Sequence, residues 1–389
     1  MAERSAQLLL AESLARAGRT GPAVTACHQA LRVDGDEALA HCLLAGLMLD
    51  EGFCQQAVVS ATRAIEIDSG CVAAYLVLGL AYDRIGGMWD RSVLVWQELA
   101  EVAPDLAVAQ VQLGQALDAA GFPDEAVAAW NRALELDPRD SRAIYDLALT
   151  ALKREGLSAA LPGIRRAGAV DPDQDAFYFA LAEAPAPVAV GGSAAGRTDP
   201  AVAEAVASAH MAAREEELFT AAERVRTALA EQPDNVAALA LAAHLYLKQE
   251  AVNEAMACAL RALTLATHTP AAVYALGVAF AERPALAAHA EKLFAVLTKM
   301  APGQAIPHVL LAESRLASRD FRGAGGSYRT ALAIEPDCVR ALFGDAAVAL
   351  VQGDHSRAQC LARRAAFCDI ERNGHFWTLY DAPVDGGAR

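Results

Sequence analysis

Four kinds of residue in this 389-residue sequence could do chemistry. Gly191-Gly192-Ser193-Ala194-Ala195-Gly196-Arg197-Thr198 has the spacing of a phosphate-binding loop, in which backbone amides cradle phosphates and a lysine reaches the outer ones. Arginine stands where that lysine is needed. Such a loop also joins a strand to a helix, and the segments flanking this one read as helical, so the stretch reads as a linker. Nine histidines and eight cysteines could ligate metal, yet there is no H-E-x-x-H and no C-x-x-C, and His41-Cys42 lacks two further ligands at helical spacing. Glu215-Glu216-Glu217 reads as a solvated helix end. Arg357, Arg363 and Arg364 form either an exposed helix face or a contact for an acidic partner. No catalytic, cofactor-binding or metal-binding residue is assigned, and no cofactor is expected.

The elements behind these residues are helical. Hydrophobic residues make up 54% of the chain but aromatics only 6%, so the apolar content is mostly Ala, Leu and Val, a mixture that suits tightly packed helices. The net charge is -15, with 14 basic and 26 acidic residues in 1–183 against 19 and 22 in 184–389. A chain so acidic lacks the basic stripe that phosphate backbones require, which argues against nucleic acid as a partner. The first apolar run is broken by Glu12 and Arg16, with neither a basic start nor an A-x-A site, so no signal peptide is read. No run of about 18 apolar residues offers a membrane span. The cysteines fall inside apolar helical patterns, as thiols of a reducing cytoplasm would.

One pattern recurs at about 34 residues, best in AVAQVQLGQALDAAGFPDEAVAAWNRALELDPRD (107–140). It supplies Leu113-Gly114, Leu117, Gly121, Ala126, Trp130, Ala133 and Pro138. Closely crossing helices need small residues at the contact, which Gly114, Ala126 and Ala133 provide, and a knob to lock the next pair, which Trp130 provides. Gly121 suits a helix C-cap, Asp124 and Glu125 favour the next N-terminus, and Pro138 ends the second helix. Other copies show Leu10-Ala11 with Gly18, Leu44-Ala45 with Gly52, Leu78-Gly79 with Trp96, and Leu147-Ala148 with Ala160. Beyond a Pro- and Gly-rich break at 184–200 come Ala209 with Ala221, Ala243 with Ala255, Leu276-Gly277 with Phe294, Ala312 with Tyr328, and Gly353 with Ala358.

These spacings resemble the tetratricopeptide repeat (TPR) over about 350 residues. The resemblance implies an all-α fold, a right-handed α-solenoid of about ten helix-turn-helix repeats. The expected blocks are 1–183, a linker at 184–200, 201–370, and a cap or tail at 371–389. It also implies that the first helix of each pair lines a concave groove. The residues expected to face a partner there are Leu76, Leu80, Val108, Val111, Arg142, Tyr145, Leu149, Tyr274, Val278, Val309 and Phe343. A wet groove has no reason to be this apolar, so something apolar covers it: a peptide or amphipathic helix of a partner, or the chain itself. Arg142 and Arg340 would then be available for acidic groups of the partner. A carboxylate-gripping co-chaperone clamp is argued against, because Leu76, Val111 and Tyr145 stand where it needs Lys and Asn.

The tail ERNGHFWTLYDAPVDGGAR concentrates Phe376, Trp377 and Tyr380 outside the repeats. It is expected to cap the final helix pair, or else to dock on a partner or a second copy. The function expected from all this is a non-catalytic cytoplasmic scaffold or chaperone-like assembly factor for one or more proteins. The alternative is a self-assembling homo-oligomer using tail-in-groove contacts. The Ala-rich composition looks bacterial, and a tail this short leaves no room for a catalytic domain.

Overall fold

The computed structural model describes residues 5–170, 172–183, 200–215, 217–372 and 375–381, with no strand among them. The expected linker up to residue 199, the phosphate-loop look-alike at 191–198, Glu216 and the tail beyond Asp381 lie outside the described residues. Among the described residues, helices follow one another in ten pairs. The first five are α1 (Ala6–Arg16) and α2 (Thr20–Val33), α3 (Ala38–Asp50) and α4 (Cys54–Ile67), α5 (Val72–Ile85) and α6 (Trp89–Val102), α7 (Ala107–Ala120) and α8 (Pro123–Leu136), and α9 (Ser141–Glu155) and α10 (Leu157–Val170). A single helix, α11 (Pro172–Glu183), comes next. The second five are α12 (Pro200–Arg214) and α13 (Leu218–Glu231), α14 (Val236–Lys248) and α15 (Val252–Leu265), α16 (Pro270–Ala281) and α17 (Ala287–Met300), α18 (Ala305–Ala317) and α19 (Phe321–Ile334), and α20 (Val339–Val351) and α21 (His355–Arg372). A second unpaired helix, α22 (His375–Asp381), closes the described chain.

Two compact units result: residues 1–167 with 369–389, and residues 168–368. Thus α11 groups with the second set of pairs and α22 with the first.

Within each unit the two helices of a pair differ in a way that fixes the stacking. Several first helices are apolar on nearly every side: α3 buries Ala40, Cys42, Leu43, Leu44, Ala45, Gly46, Leu47 and Leu49, and α5, α14 and α16 bury eight or nine residues each. Second helices are amphipathic: α4 buries only Ala57, Ala61 and Ala64. A helix that is hydrophobic all round is one covered all round. Most consecutive first helices, such as α3 and α5 or α14 and α16, also approach one another more closely than consecutive second helices do. The first helices therefore form the inner wall of each curved stack.

The small-residue and knob positions are filled as their spacing requires. A Cβ on Gly114 would overlap Trp130 Nε1, and one on Gly79 would lie 2.5 Å from the Trp96 ring. Ala126 and Ala133 are fully buried beside Trp130, whose indole N–H donates to the Val111 carbonyl at 3.2 Å. Gly121 ends α7 in the left-handed conformation (φ 92°), Pro123 opens α8, and Asp124 and Glu125 occupy its first turn.

Candidate helix-binding grooves

The inner walls are where the sequence placed a partner site, and in this chain they are covered. Leu76 and Leu80 (α5), Val108 and Val111 (α7), Arg142, Tyr145 and Leu149 (α9), Tyr274 (α16), Val309 (α18) and Phe343 (α20) are all buried, and Val278 (α16) is half-buried. Each unit also holds one unpaired helix against its first helices: α22 lies against α5, and Phe177 of α11 covers Tyr274.

In the first unit α22 lies against α5 and reaches α1 and α3. The sequence expectation placed this stretch on the final helix pair; its described contacts fall on the first three pairs. Phe376 fills the space left by Gly46 of α3, where a Cβ would come within 2.9 Å of the ring. Tyr380 is buried and its hydroxyl donates to Glu12 Oε1 of α1 at 3.0 Å, with the Leu39 carbonyl oxygen 3.3 Å away. The Arg16 guanidinium stands 4.1 Å from the Trp377 ring centroid and pairs with Asp381 at 2.5 Å. The last pair is half-exposed and stabilises by about 0–1 kcal/mol, whereas the bond from a buried hydroxyl to a carboxylate is worth roughly 1.5–3 kcal/mol. Phe376, Trp377 and Tyr380 also contact one another, with ring centroids 5.3 to 5.6 Å apart.

In the second unit α11 takes the corresponding place, against α12, α16 and α18. Phe177, Tyr178 and Phe179 are all buried. Three consecutive helical residues point about 100° apart, so burying all three requires walls on more than one side. Tyr178 stacks face to face on His244 of α14 (centroids 3.8 Å, planes 3° apart), and Phe179 meets the same imidazole edge-on at 5.9 Å. Phe177 meets Tyr274 edge-on at 5.8 Å, so a residue expected to face a partner instead faces the chain's own helix. Burial holds His244 neutral, with its pKa down at about 3, and pushes the Tyr178 hydroxyl upward. The Tyr178 hydroxyl has no hydrogen-bond partner among the described residues.

The two arginines expected to be available are already engaged. Arg142 pairs with Asp140 at 3.0 Å, both buried, and Asp140 also caps α9 by accepting from the Arg142 and Ala143 amides. Arg340 binds both Glu313 oxygens at 2.7 Å and donates to the Gly168 carbonyl at 3.3 Å. Neither charge is stripped bare in the interior, which is why both can be buried. Asp146 of α9 is a buried carboxyl that accepts from Gln115 Nε2 of α7 at 2.8 Å; burial pushes its pKa up to about 7.

Sequence reasoning missed α11 as an occupant and missed Arg16 as a counterpart of α22. The available signal was the clustering of aromatics at 177–179 and 376–380 in a chain with so few. Among the described residues no three His, Cys, Asp or Glu side chains could hold a metal ion, and no helix is long and apolar enough to cross a membrane.

Comparison with known proteins finds the same repeat. The family model described as tetratricopeptide repeat matches residues 107–150, and a second of the same description matches residues 309–370. Similar solved structures include MamA, at 20% identity, covering 42% of this chain and 95% of that one with a TM-score of 0.40. YrrB, described as a TPR protein with an unusual peptide-binding site, matches at 20% identity over 44% of this chain and 88% of its own, TM-score 0.39. A thermophilic TPR protein of Thermus thermophilus matches at 24% identity over 43% and 90%, TM-score 0.36. No curated protein matches the chain.

Proposed function

We propose that this chain, which carries the tetratricopeptide repeat at 107–150 and 309–370, is a non-catalytic protein-interaction scaffold whose inner walls receive a helix from a partner. The observation that carries this reading is that each unit already seats an isolated, aromatic-bearing helix, α22 or α11, against its first helices. A wall that buries one such helix has the shape and apolarity to bury another. The free thiols, of which Cys27, Cys42 and Cys71 are buried in one core, fit a reducing cytoplasm.

Substituting Leu80 or Val111 with glutamate would not test this. Both are buried, and an unpaired carboxylate there breaks the fold before it breaks an interface. A photo-crosslinking residue at half-buried Val278, compared with one at exposed Val59 on the outer face of α4, separates the walls. The expected result is a crosslink from 278, and not from 59, to a partner peptide with helical apolar periodicity. Equal crosslinking from both positions overturns the reading.

A further inference from the structure

Phe376, Trp377, Tyr380 and Asp381 of α22 each have a counterpart of matching chemistry in the first unit, and this says more than that the wall is apolar. Gly46 leaves room for one aromatic ring and for no Cβ of its own. The Arg16 guanidinium serves twice, over the Trp377 face and beside the Asp381 carboxylate. The Tyr380 hydroxyl, at the end of a buried ring, donates to Glu12 Oε1 and lies 3.3 Å from the Leu39 carbonyl oxygen. A phenylalanine there would remove that hydrogen bond.

We infer that α22 is an internal stand-in for an external ligand. The first unit takes, from another protein, a helix carrying two adjacent aromatics, a tyrosine one turn later and an acidic residue next, the pattern Phe376-Trp377-x-x-Tyr380-Asp381. This rests on the scaffold reading and narrows it to one partner chemistry. A seven-residue helix is too short to persist without its contacts, because a helix nucleus is costly, so α22 forms on the wall and is lost when it leaves. Its advantage over an external helix is its tether. A tethered segment competes at an effective concentration on the order of millimolar, which weakens a free ligand of tens of micromolar affinity roughly 30- to 100-fold.

The test uses the full chain in two forms, wild type and Phe376→Ala/Trp377→Ala/Tyr380→Ala, with a fluorescein-labelled synthetic peptide of residues 372–384 read by anisotropy. The peptide should bind the triple variant at least 10-fold more tightly than wild type, and a Tyr380→Phe peptide should bind the variant about 10-fold more weakly. An unlabelled amphipathic Leu/Ala helix without aromatics is the second ligand, read by competition. If that helix binds the variant as well as the aromatic peptide does, the wall is a helix site without this selectivity and the inference falls while the scaffold reading stands. If neither binds, both fall. Equal binding of the aromatic peptide to the two proteins also overturns the inference. In wild type, which needs no folding control, saturating peptide should speed amide exchange across 375–381; unchanged exchange there under saturation is a refutation.

Discussion

Asp146 and His244 lie in different units and should give them opposite responses to acid. Asp146 titrates near 7 in the folded chain against 3.8 in a free side chain, so the native state keeps a proton that the unfolded chain releases. Stability from this group is greatest below 3.8, falls as pH rises, and is flat above about 7. The whole span is about 3 pH units, an upper bound of roughly 4 kcal/mol, of which about 2 kcal/mol falls between pH 5 and pH 7. His244 runs the other way. Its pKa is about 3 in the folded chain against 6.5, so below 6.5 the unfolded chain takes up a proton that the folded chain refuses. Between pH 7 and pH 5 that costs about 2 kcal/mol, growing toward pH 3. All four tryptophans, 89, 96, 130 and 377, are in the first unit, so tryptophan fluorescence during urea unfolding reports that unit. Asp146→Asn should remove about 2 kcal/mol of acid stabilisation from this signal between pH 7 and pH 5. His244→Phe, which keeps an aromatic face for Tyr178, should remove a similar acid destabilisation from amide exchange in α14. If either variant tracks wild type to within about 0.5 kcal/mol at both pH values, the burial of that group as described is wrong.

Three further outcomes follow from packing. Gly114→Ala should cost about 1–3 kcal/mol in chemical unfolding, because its Cβ would overlap Trp130 Nε1, and adding Trp130→Phe should recover part of the loss. Tyr178→Phe removes a buried hydroxyl with no partner among the described residues, so its melting temperature should be equal to or above wild type; a drop worth more than about 1 kcal/mol shows that the hydroxyl is bonded. Arg340→Met should lose about 3–5 kcal/mol by leaving Glu313 without its bidentate partner, and Arg340→Met/Glu313→Leu should regain most of it.

The repeat was legible because its constraints are local and recur. Gly114 and Trp130 stand sixteen positions apart within one copy, and Gly79 and Trp96 stand seventeen apart in the copy before, whose turn has one extra residue, so size complementarity shows as a near-constant spacing. Filling of the inner wall follows no period. Phe376, Trp377 and Tyr380 announce that they must be buried, but Glu12 is 368 positions from Tyr380, and a stack of apolar helices has more than one place to bury a short one. Apolar inner positions likewise cannot say what covers them: Tyr274 reads the same under Phe177 as it would under a partner. The arginines mislead for a related reason. Arg142 is balanced by a residue two positions upstream, but Arg340 is answered by Glu313 on the preceding first helix, a pairing that only stacking creates.

The separation of 368 positions between Glu12 and Tyr380 also orders events during synthesis. At about 5–20 residues per second, a ribosome that has made α1 takes roughly 20–70 s more to make α22. Over that interval the space beside Gly46 and the buried face of Glu12 have no covering helix from their own chain, so the repeats made first are the last to be completed. Nascent chains carry in that window an unfilled aromatic seat, open to chaperones or to the finished tail of a neighbouring chain. A tag fused directly after Asp381 would consequently be felt at the opposite end of the sequence, in the first three helix pairs.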